Sequence, residues 1–214
     1  LRFTREGAHS RPRILFHEDI TGHEITQTLL NEVLRCENIE LREHTTLLDF
    51  FADASACGGV IAVGPDGEPR AIGAGAVVLA CGGIGGVYKN STNFPHTGDA
   101  IAMALRHGVA CEHLDYIQIH PTTLYSHRKG RRFLISESVR GEGALLLDKN
   151  GNRFTNELQP RDVVSAAIRA QMEKDGTDHV WEDMRPIGEA AIREHFPNIL
   201  ERCEEEGYDP IHEP

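Results

Sequence analysis

One short apolar run limits the folds open to this chain more than any other feature. Residues 76–80 (AVVLA) contain no polar side chain, and Cys81-Gly82-Gly83 follow them directly. A continuous apolar run of this length is typical of a strand that is covered on both faces. Because glycine has no Cβ, the turn that follows lets a ligand or another backbone approach closely. The run therefore predicts a buried strand that ends in a glycine turn.

Helical and strand-like segments alternate along the rest of the chain. Apolar spacing and end signals predict helices over residues 22–36, 99–107 and 160–176, with two short helices at the carboxyl end. Strand-like runs lie at residues 39–45, 47–51, 59–63, 71–80 and 179–182. Turn signals at residues 65–67 and 148–151 predict two hairpins, the second over residues 145–154.

Charge and cysteine usage exclude several classes of protein. The 214 residues include 33 acidic and 22 basic side chains, a net charge of -11, which argues against nucleic acid or an anionic membrane as the main partner. Five widely spaced cysteines without a C-x-x-C pair indicate a reducing compartment and neither a disulfide framework nor a zinc site. Six glycines in residues 71–87 favour a strand and a turn over a membrane span.

Two candidate cofactor contacts each have a simpler structural explanation. Glycines after a parallel strand bring backbone near a dinucleotide, but the turn at Gly82 and Gly83 lacks G-x-G-x-x-G, so ordinary tight packing is an equal alternative. Asp99 follows Thr97-Gly98 at the predicted start of a helix. Its carboxylate is expected either to cap that helix or to accept a hydrogen bond from a cofactor hydroxyl.

Residues 119–146 are unusually dense in polar and charged side chains. Arg131 and Arg132 precede an apolar triplet, and Glu137 and Arg140 lead into Gly-Glu-Gly. Guanidinium, imidazole and hydroxyl groups together suit a dicarboxylate ligand. Arg161 opens a helix after Pro160 and is either part of such a site or a surface arginine paired with its neighbour Asp162.

Metal binding is not expected of the histidines in this region. His113, His120 and His127 recur every seven residues, which would place them on one face of a continuous helix. Pro121 interrupts any such helix, and the chain contains no H-E-x-x-H. The sequence therefore predicts no metal site.

Six motifs in this order resemble the flavoprotein family that comprises L-aspartate oxidases, fumarate reductases and succinate dehydrogenase flavoprotein subunits. They span nearly the whole chain: TREGAHS (4–10), AVVLACGG (76–83), TGDAIAMA (97–104), QIHPTTLY (118–125), SESVRGEGALL (136–146) and PRDVVSAAI (160–168). The REGAHS stretch is similar to that of the aspartate oxidases, in which a glutamate, here Glu6, faces the substrate's ammonium group. Members that handle only succinate or fumarate lack it.

The resemblance implies an α/β plus α+β architecture with FAD as the cofactor. Residues 1–113 would be part of a Rossmann-like FAD-binding domain, and residues 114–214 a fumarate-reductase-type capping domain, with substrate held between them. Positions that match FAD contacts are Thr46, Leu47, Ala80, Gly82, Gly83 and Asp99. The family's glycine-rich pyrophosphate turn would precede Leu1, and a further substrate histidine and arginine would follow Pro214.

The resemblance also assigns substrate and proton-transfer roles. Residues that match substrate-binding positions are Glu6, Gln118, His120 and Ser136, the last standing where relatives have threonine. Arg161 matches the arginine that transfers the substrate proton, with Glu137 and Arg140 as its relay. Arginine is a poor base, since it holds its proton to a pH of about 12, so the relay has to move the proton onward.

The expected function is FAD-dependent oxidation of L-aspartate to iminoaspartate in quinolinate and NAD biosynthesis, with fumarate reduction as a second activity. The resemblance implies a cytoplasmic enzyme, a small dicarboxylate substrate and quinolinate synthase as a protein partner. The alternatives are a fumarate reductase or succinate dehydrogenase flavoprotein, against which Glu6 argues, and a non-catalytic segment that only binds partners.

Overall fold

The computed structural model describes residues 3–7, 9–53 and 55–214. The chain folds into two compact units. The first unit comprises residues 1–29 and 117–214, and the second comprises residues 30–116. These bounds differ from the two segments expected from the sequence, because residues 1–29 belong with the carboxyl-terminal half. The assignment of a flavin role and a capping role to the two parts stays a prediction.

Helices and short antiparallel sheets make up both units. The helices are α1 (Thr21–Val33), α2 (Asp99–Arg106), α3 (Glu137–Gly141), α4 (Arg161–Asp175), α5 (Glu189–His195) and α6 (Pro197–Glu206). The strands are β1 (Phe3–Thr4), β2 (Ile14–Leu15), β3 (Thr46–Ala52), β4 (Cys57–Val63), β5 (Pro69–Gly73), β6 (Leu145–Leu147) and β7 (Trp181–Asp183). All strand pairs are antiparallel: β1 with β2, β3-β4-β5 in order, and β6 with β7.

The first unit has a hydrophobic core formed mainly by helices. The larger cluster contains the fully buried side chains of Val139 on α3, Ile192 on α5 and Ile199 on α6. A smaller cluster places Leu146 of β6 against Val164 and Ile168 of α4. Burying one such aliphatic side chain contributes about 1.5–3 kcal/mol. The core therefore fixes α3 and the amino end of α4, which carry Glu137, Arg140 and Arg161.

The second unit contains the three-stranded sheet β3-β4-β5 and helix α2. Phe50 of β3 is buried and its ring packs on the imidazole of His107, with ring centroids 4.4 Å apart. Asp49 accepts hydrogen bonds from His107 Nε2 (3.0 Å) and Arg106 Nη2 (3.2 Å). The end of α2 is therefore held on β3 by stacking and by charge.

Most of the predicted helices are confirmed, since their end signals are local. α2 ends at Arg106, two residues before Gly108, and α4 begins after Pro160 and ends at Asp175, directly before Gly176; both glycines have a positive φ. Both predicted turns are also present. However, the return strand of the second hairpin is reduced to a single bridge between Leu147 and Arg153.

Two predicted strands are wrong. Residues 39–45 contain no strand, because a turn closes from Ile39 N to Cys36 O (3.1 Å) and His44 has a positive φ of 51°. The strand over residues 71–80 ends at Gly73, and Val78 in the apolar run is 88% exposed. A strand needs a hydrogen-bonded neighbour, and no described strand pairs with residues 76–80.

Candidate active site

The carboxylate of Glu137 is the centre of a cluster of polar side chains in the first unit. Its side chain is 7% exposed, and its Oε2 accepts a hydrogen bond from Arg161 Nε at 2.5 Å. Arg161 Nη1 donates a second bond to Gln118 Oε1 at 2.6 Å. A buried carboxylate requires such a charged partner. Arg161 is thus paired with Glu137 and Gln118, and the alternative of a surface pair with Asp162 is wrong.

The short helix α3 positions both relay candidates. Ser136 is its N-cap, with Oγ accepting from Ser138 N at 3.3 Å and lying 2.7 Å from Ser138 Oγ. Glu137 and Arg140 lie three residues apart, so their side chains share one face of the helix. Arg140 is only 1% exposed and donates from Nη1 to the carbonyl oxygen of Glu157 at 2.8 Å.

His120 belongs to the same cluster. Its Nδ1 lies 3.0 Å from Thr122 O and 3.3 Å from Thr122 N, so the backbone of Thr122 holds the ring. Burial lowers the pKa of His120, and the positive charges of Arg161 and Arg140 lower it further. The imidazole is therefore biased toward its uncharged form.

The amino-terminal TREGAHS stretch packs directly on α3. A Cβ built on Gly7 would overlap Glu137 Oε1, and one built on Gly141 would overlap the carbonyl oxygen of Arg5. Both glycines are thus needed for the close approach. The half-buried Glu6 lies between these two contacts, and its carboxylate has no hydrogen-bond or ion-pair partner among the residues that the structure describes.

Glu142 provides a second anchor for this stretch that the sequence did not reveal. Its Oε1 accepts a hydrogen bond from Thr4 Oγ1 at 3.3 Å, and its Oε2 accepts one from His195 Nδ1 at 2.7 Å. The only available sequence signal was the Gly-Glu-Gly pattern after Arg140. Glu142 therefore ties β1 to α5 and fixes the position of the residues that follow Thr4.

Two arginines of the dense polar segment do not join this cluster. Arg131 and Arg132 line a separate cavity of about 90 Å³ together with Arg128, Arg202 and Glu206. Arg132 Nη1 donates to the carbonyl oxygen of Ser126 at 2.6 Å. Arg132 thus closes its own loop, and Arg128 holds that loop on the end of α6 by donating to the carbonyl oxygen of Glu205 at 3.2 Å.

Every position matched to FAD lies in the second unit. Ala80, Gly82 and Gly83 are exposed, and Asp99 is the exposed first residue of α2. The carboxylate of Asp99 accepts from Thr97 Oγ1 at 2.7 Å, whereas the N-cap residue Gly98 makes no side-chain cap. Asp99 is therefore not the N-cap residue of α2.

The glycine turn lies close to the residues that precede α2, because Gly82 packs on His96 and Gly98 packs on Ile84. A Cβ on Gly82 would overlap the ring of His96, and a Cβ on Gly98 would approach Ile84 at 2.9 Å. Gly83, in contrast, has open space where a Cβ would lie. Gly82 thus serves packing, and Gly83 leaves backbone accessible to a ligand.

Thr46 and Leu47 lie elsewhere in the second unit. They begin β3, an edge strand, opposite Val63 and Ala62, and a register shift follows at once between Leu47 and Asp49. An edge strand has backbone groups that no neighbouring strand pairs. No hydrogen bond or ion pair among the described residues joins them to the glycine turn. Exposed backbone at β3, open space at Gly83 and the acceptor at Asp99 fit a nucleotide cofactor such as FAD.

A match to the family described as FAD binding domain covers residues 1–214. The chain belongs to this FAD-binding family. It is 44% identical to the L-aspartate oxidase of Clostridium perfringens over 99% of the chain and 48% of that protein. It is also 44% identical to the L-aspartate oxidase of Nostoc sp., over 100% of the chain and 39% of that protein. The chain thus spans less than half the length of these curated relatives.

Solved structures of the same fold support the family assignment. Quinol fumarate reductase FrdA of E. coli superposes with a TM-score of 0.89 and 32% identity, over 100% of this chain and 40% of that one. Sdh1 of Mycobacterium smegmatis has a TM-score of 0.72 and 30% identity, over 99% and 39%. The mixed α/β fold of these flavoproteins confirms the coarser part of the predicted architecture.

The part of the chain that the structure describes contains neither a candidate membrane span nor a candidate metal cluster. No helix there is both long and apolar enough to cross a membrane. Within the same ranges, no group of three or more histidine, cysteine, aspartate or glutamate side chains is arranged to hold a metal ion.

We predict that Gly141→Ala destabilises the first unit. Alanine normally favours a helix over glycine by about 1 kcal/mol. Here the new Cβ meets the carbonyl oxygen of Arg5, which is backbone and cannot rotate away. Overpacking of this kind costs about 1–3 kcal/mol. The measurement is the free energy of unfolding in urea.

Gly22→Ala on α1 is the matched control, because no atom lies within 4 Å of the Cβ it adds. It is expected to leave stability unchanged or to raise it. A Gly141→Ala protein as stable as the parent would show that the Arg5–Gly7 stretch does not pack on α3 as described.

Proposed function

We propose that the protein carrying this chain oxidises L-aspartate to iminoaspartate with FAD. The observation that carries the proposal is the position of Glu6, a half-buried residue in a stretch packed on the helix of Glu137, whose carboxylate has no partner among the described residues. An anionic group beside a set of carboxylate-binding groups suits a substrate with two carboxylates and one ammonium. The 44% identity to L-aspartate oxidases agrees with this assignment.

Gln118, His120, Ser136 and Arg161 are proposed to bind the substrate's carboxylates. The Arg161 side chain is 32% exposed, and its Nε is hydrogen-bonded to Glu137. The remaining part of the guanidinium is therefore available to a substrate carboxylate. His120 Nδ1 lies 3.0 Å from the carbonyl oxygen of Thr122 and donates to it, so Nε2 is left for a carboxylate, to which it donates when the ring is protonated. The negative charge of a bound carboxylate would favour this protonated form, in opposition to the burial that lowers the pKa of His120.

FAD, when bound, accepts the hydride that leaves the substrate carbon. The chain's own residues then have to orient the substrate and remove a proton. Arg161 is placed for the second task, because its Nε is already hydrogen-bonded to Glu137 at 2.5 Å. A guanidinium transfers a proton only if a neighbouring base replaces or removes one at the same time. Glu137 is that base, and Arg140 on the same helix face continues the path.

Ala80, Gly82, Gly83, Asp99, Thr46 and Leu47 are proposed to hold FAD. Asp99 would accept from a cofactor hydroxyl, and the backbone near Gly83 would approach the cofactor closely. We further propose a cytoplasmic location and quinolinate synthase as the enzyme that consumes the product. Five free cysteines support a reducing compartment.

Fumarate reduction or succinate oxidation is the second candidate function. The superposition on E. coli quinol fumarate reductase FrdA, with a TM-score of 0.89, favours it. The substrate of that reaction carries two carboxylates and no amine, so it makes no use of Glu6. The two candidates therefore differ in what a change at Glu6 does.

We predict that L-aspartate reduces the flavin of the FAD-loaded protein without oxygen, and that Glu6→Gln slows this reduction far more than it slows fumarate reduction. A lost charge-assisted hydrogen bond costs about 1.5–3 kcal/mol, or about tenfold to more than a hundredfold in rate. The measurement is the anaerobic loss of oxidised-flavin absorbance, followed by reoxidation with fumarate.

Glu201→Gln, an exposed change in α6 of the same unit, is the control for Glu6→Gln and should behave as the parent. Equal losses on both substrates would assign Glu6 to the fold. Flavin reduction by succinate but not by aspartate would establish the second candidate. Reduction by neither would leave a binding protein without this catalysis.

We predict that Arg161→Lys lowers kcat in both directions by about 10²–10⁴, the usual contribution of positioned acid–base catalysis. Lysine keeps the positive charge but cannot donate to Glu137 and Gln118 from one planar group. Steady-state kinetics at saturating substrate, with flavin content measured first, give the result. Arg169→Lys, an exposed change on the same helix, is the control. A raised KM with kcat within about threefold of the parent would make Arg161 a binding residue only.

A further inference from the structure

Glu142 lies on the same short element as Glu137, and the proposed mechanism gives it no role. It is the C-cap residue of α3, and its backbone N–H donates to Ser138 O at 2.8 Å. Glu137 is the first residue of this five-residue helix. Because α3 carries both carboxylates, an element that is bound to Glu142 keeps a fixed position relative to Glu137.

The two oxygens of the Glu142 carboxylate hold two different elements. Oε1 accepts a hydrogen bond from Thr4 Oγ1 of β1 at 3.3 Å, and Oε2 accepts one from His195 Nδ1 of α5 at 2.7 Å. Thr4 is buried, and the side chains of Glu142 and His195 are only 18% and 21% exposed. Hydrogen bonds to a carboxylate gain strength where water is largely excluded. Glu142 is therefore a shielded bridge between β1 and α5.

The ring of His195 also contacts the chain directly after β2. It packs edge-on against Phe16, with ring centroids 5.7 Å apart. β2 in turn pairs with β1, and Arg13 N donates to Thr4 O at 3.1 Å. The contacts thus form a closed ring that runs from β1 through Glu142, His195 and Phe16 back to β2. The hairpin of β1 and β2 is held at both of its strands.

Glu6 lies two residues after Thr4, where the backbone comes closest to α3. A Cβ on Gly141 would lie 3.3 Å from Glu6 Cα, and a Cβ on Gly7 would overlap Glu137 Oε1. The carboxylate of Glu6 has no hydrogen-bond or ion-pair partner among the residues that the structure describes. Its position is therefore set by its backbone, and the nearest side-chain anchor of that backbone is the bond from Thr4 to Glu142.

We propose that Glu142 is a positioning residue that gives the site its selectivity for an amino dicarboxylate over a dicarboxylate without an amine. It acts through Thr4 and His195, which fix the hairpin and thereby place Glu6 against α3. The selectivity rests on the proposed function, in which Glu6 meets the substrate's ammonium group. The anchoring of the hairpin rests on the contacts alone.

The groups proposed to bind the substrate's carboxylates do not depend on this anchor. Arg161 bonds directly to Glu137 at 2.5 Å and to Gln118 at 2.6 Å. Loss of the Glu142 anchor should therefore displace Glu6 while the carboxylate-binding groups keep their places. Aspartate should be affected, and succinate and fumarate should not.

Glu142→Gln keeps the shape of the side chain and removes the charge that attracts the His195 N–H. In the FAD-loaded full-length protein, kcat/KM for flavin reduction by aspartate should fall by about 10-fold to 100-fold, the effect of a small misplacement of a binding group. Reoxidation by fumarate should be unchanged. Glu189→Gln, an exposed change on α5, is the control and should behave as the parent.

A double variant distinguishes positioning of Glu6 from a general structural role. If Glu142 acts only through Glu6, then Glu142→Gln should cause no further loss with aspartate once Glu6→Gln is present. Equal losses with aspartate and fumarate in the single variant would overturn the proposal. So would losses that add up in the double variant.

Thr4→Val is the second variant, for the case in which Glu142→Gln does not fold. It removes the hydroxyl that donates to Glu142 and keeps a β-branched side chain suited to a strand. It should change selectivity in the same direction by a smaller factor, because the His195 bond remains. Thr28→Val, which removes an exposed bond from Thr28 to Glu24 on α1, is the matched control. Parent selectivity in Thr4→Val would contradict the anchor.

Amide hydrogen exchange tests the anchor without any activity. The N–H of Arg13, which donates to Thr4 O, should exchange faster in Glu142→Gln than in the parent. The N–H of Leu146, which donates to the buried Glu157, should keep the parent rate. Unchanged exchange at Arg13 would show that Glu142 does not hold the hairpin. If the parent oxidises no aspartate, the proposed function fails and the selectivity role fails with it, while the exchange result still decides the anchoring.

Discussion

The ion pair between Arg161 and the buried Glu137 is the interaction on which the candidate site depends. A carboxylate that is 7% exposed is stable only with a charged, hydrogen-bonded partner, and Arg161 supplies it while also bonding Gln118. The pair joins α4 to α3 and so places the guanidinium beside His120, whose pKa it helps to lower. Gly7 then packs on the other oxygen of Glu137, which brings the Glu6 stretch to the same place.

Local signals in the sequence predicted the helices and their ends well. Pro160, Gly108 and Gly176 act on the backbone directly, so α2 and α4 were predictable from residues close in the chain. The apolar run at residues 76–80 was not, since whether such a run forms a strand depends on a partner elsewhere, and Val78 is exposed here. Residue patterns alone also left Arg161 undecided between Asp162 and a site, because its partner Glu137 is 24 residues away.

The least predictable parts of the site are those in which distant segments meet closely. Gly7 and Gly141 carry no sequence signal for the contacts they permit, although both allow β1 and its continuation to lie on α3. Glu182 lay inside a predicted strand with nothing to indicate that both of its carboxyl oxygens are buried. The family resemblance supplied the roles predicted for Glu6 and His120, and the packing supplies the physical reason that these residues lie near Glu137.

A double-mutant cycle on Glu137 and Arg161 tests the central claim most directly. Unfolding free energies would be measured for the parent, Glu137→Gln, Arg161→Met and the double variant. If the pair holds the site together, the coupling energy should be about 1–3 kcal/mol, with the double variant losing less than the sum of the single losses. A coupling energy near zero would show that the two side chains contribute independently and would contradict the account.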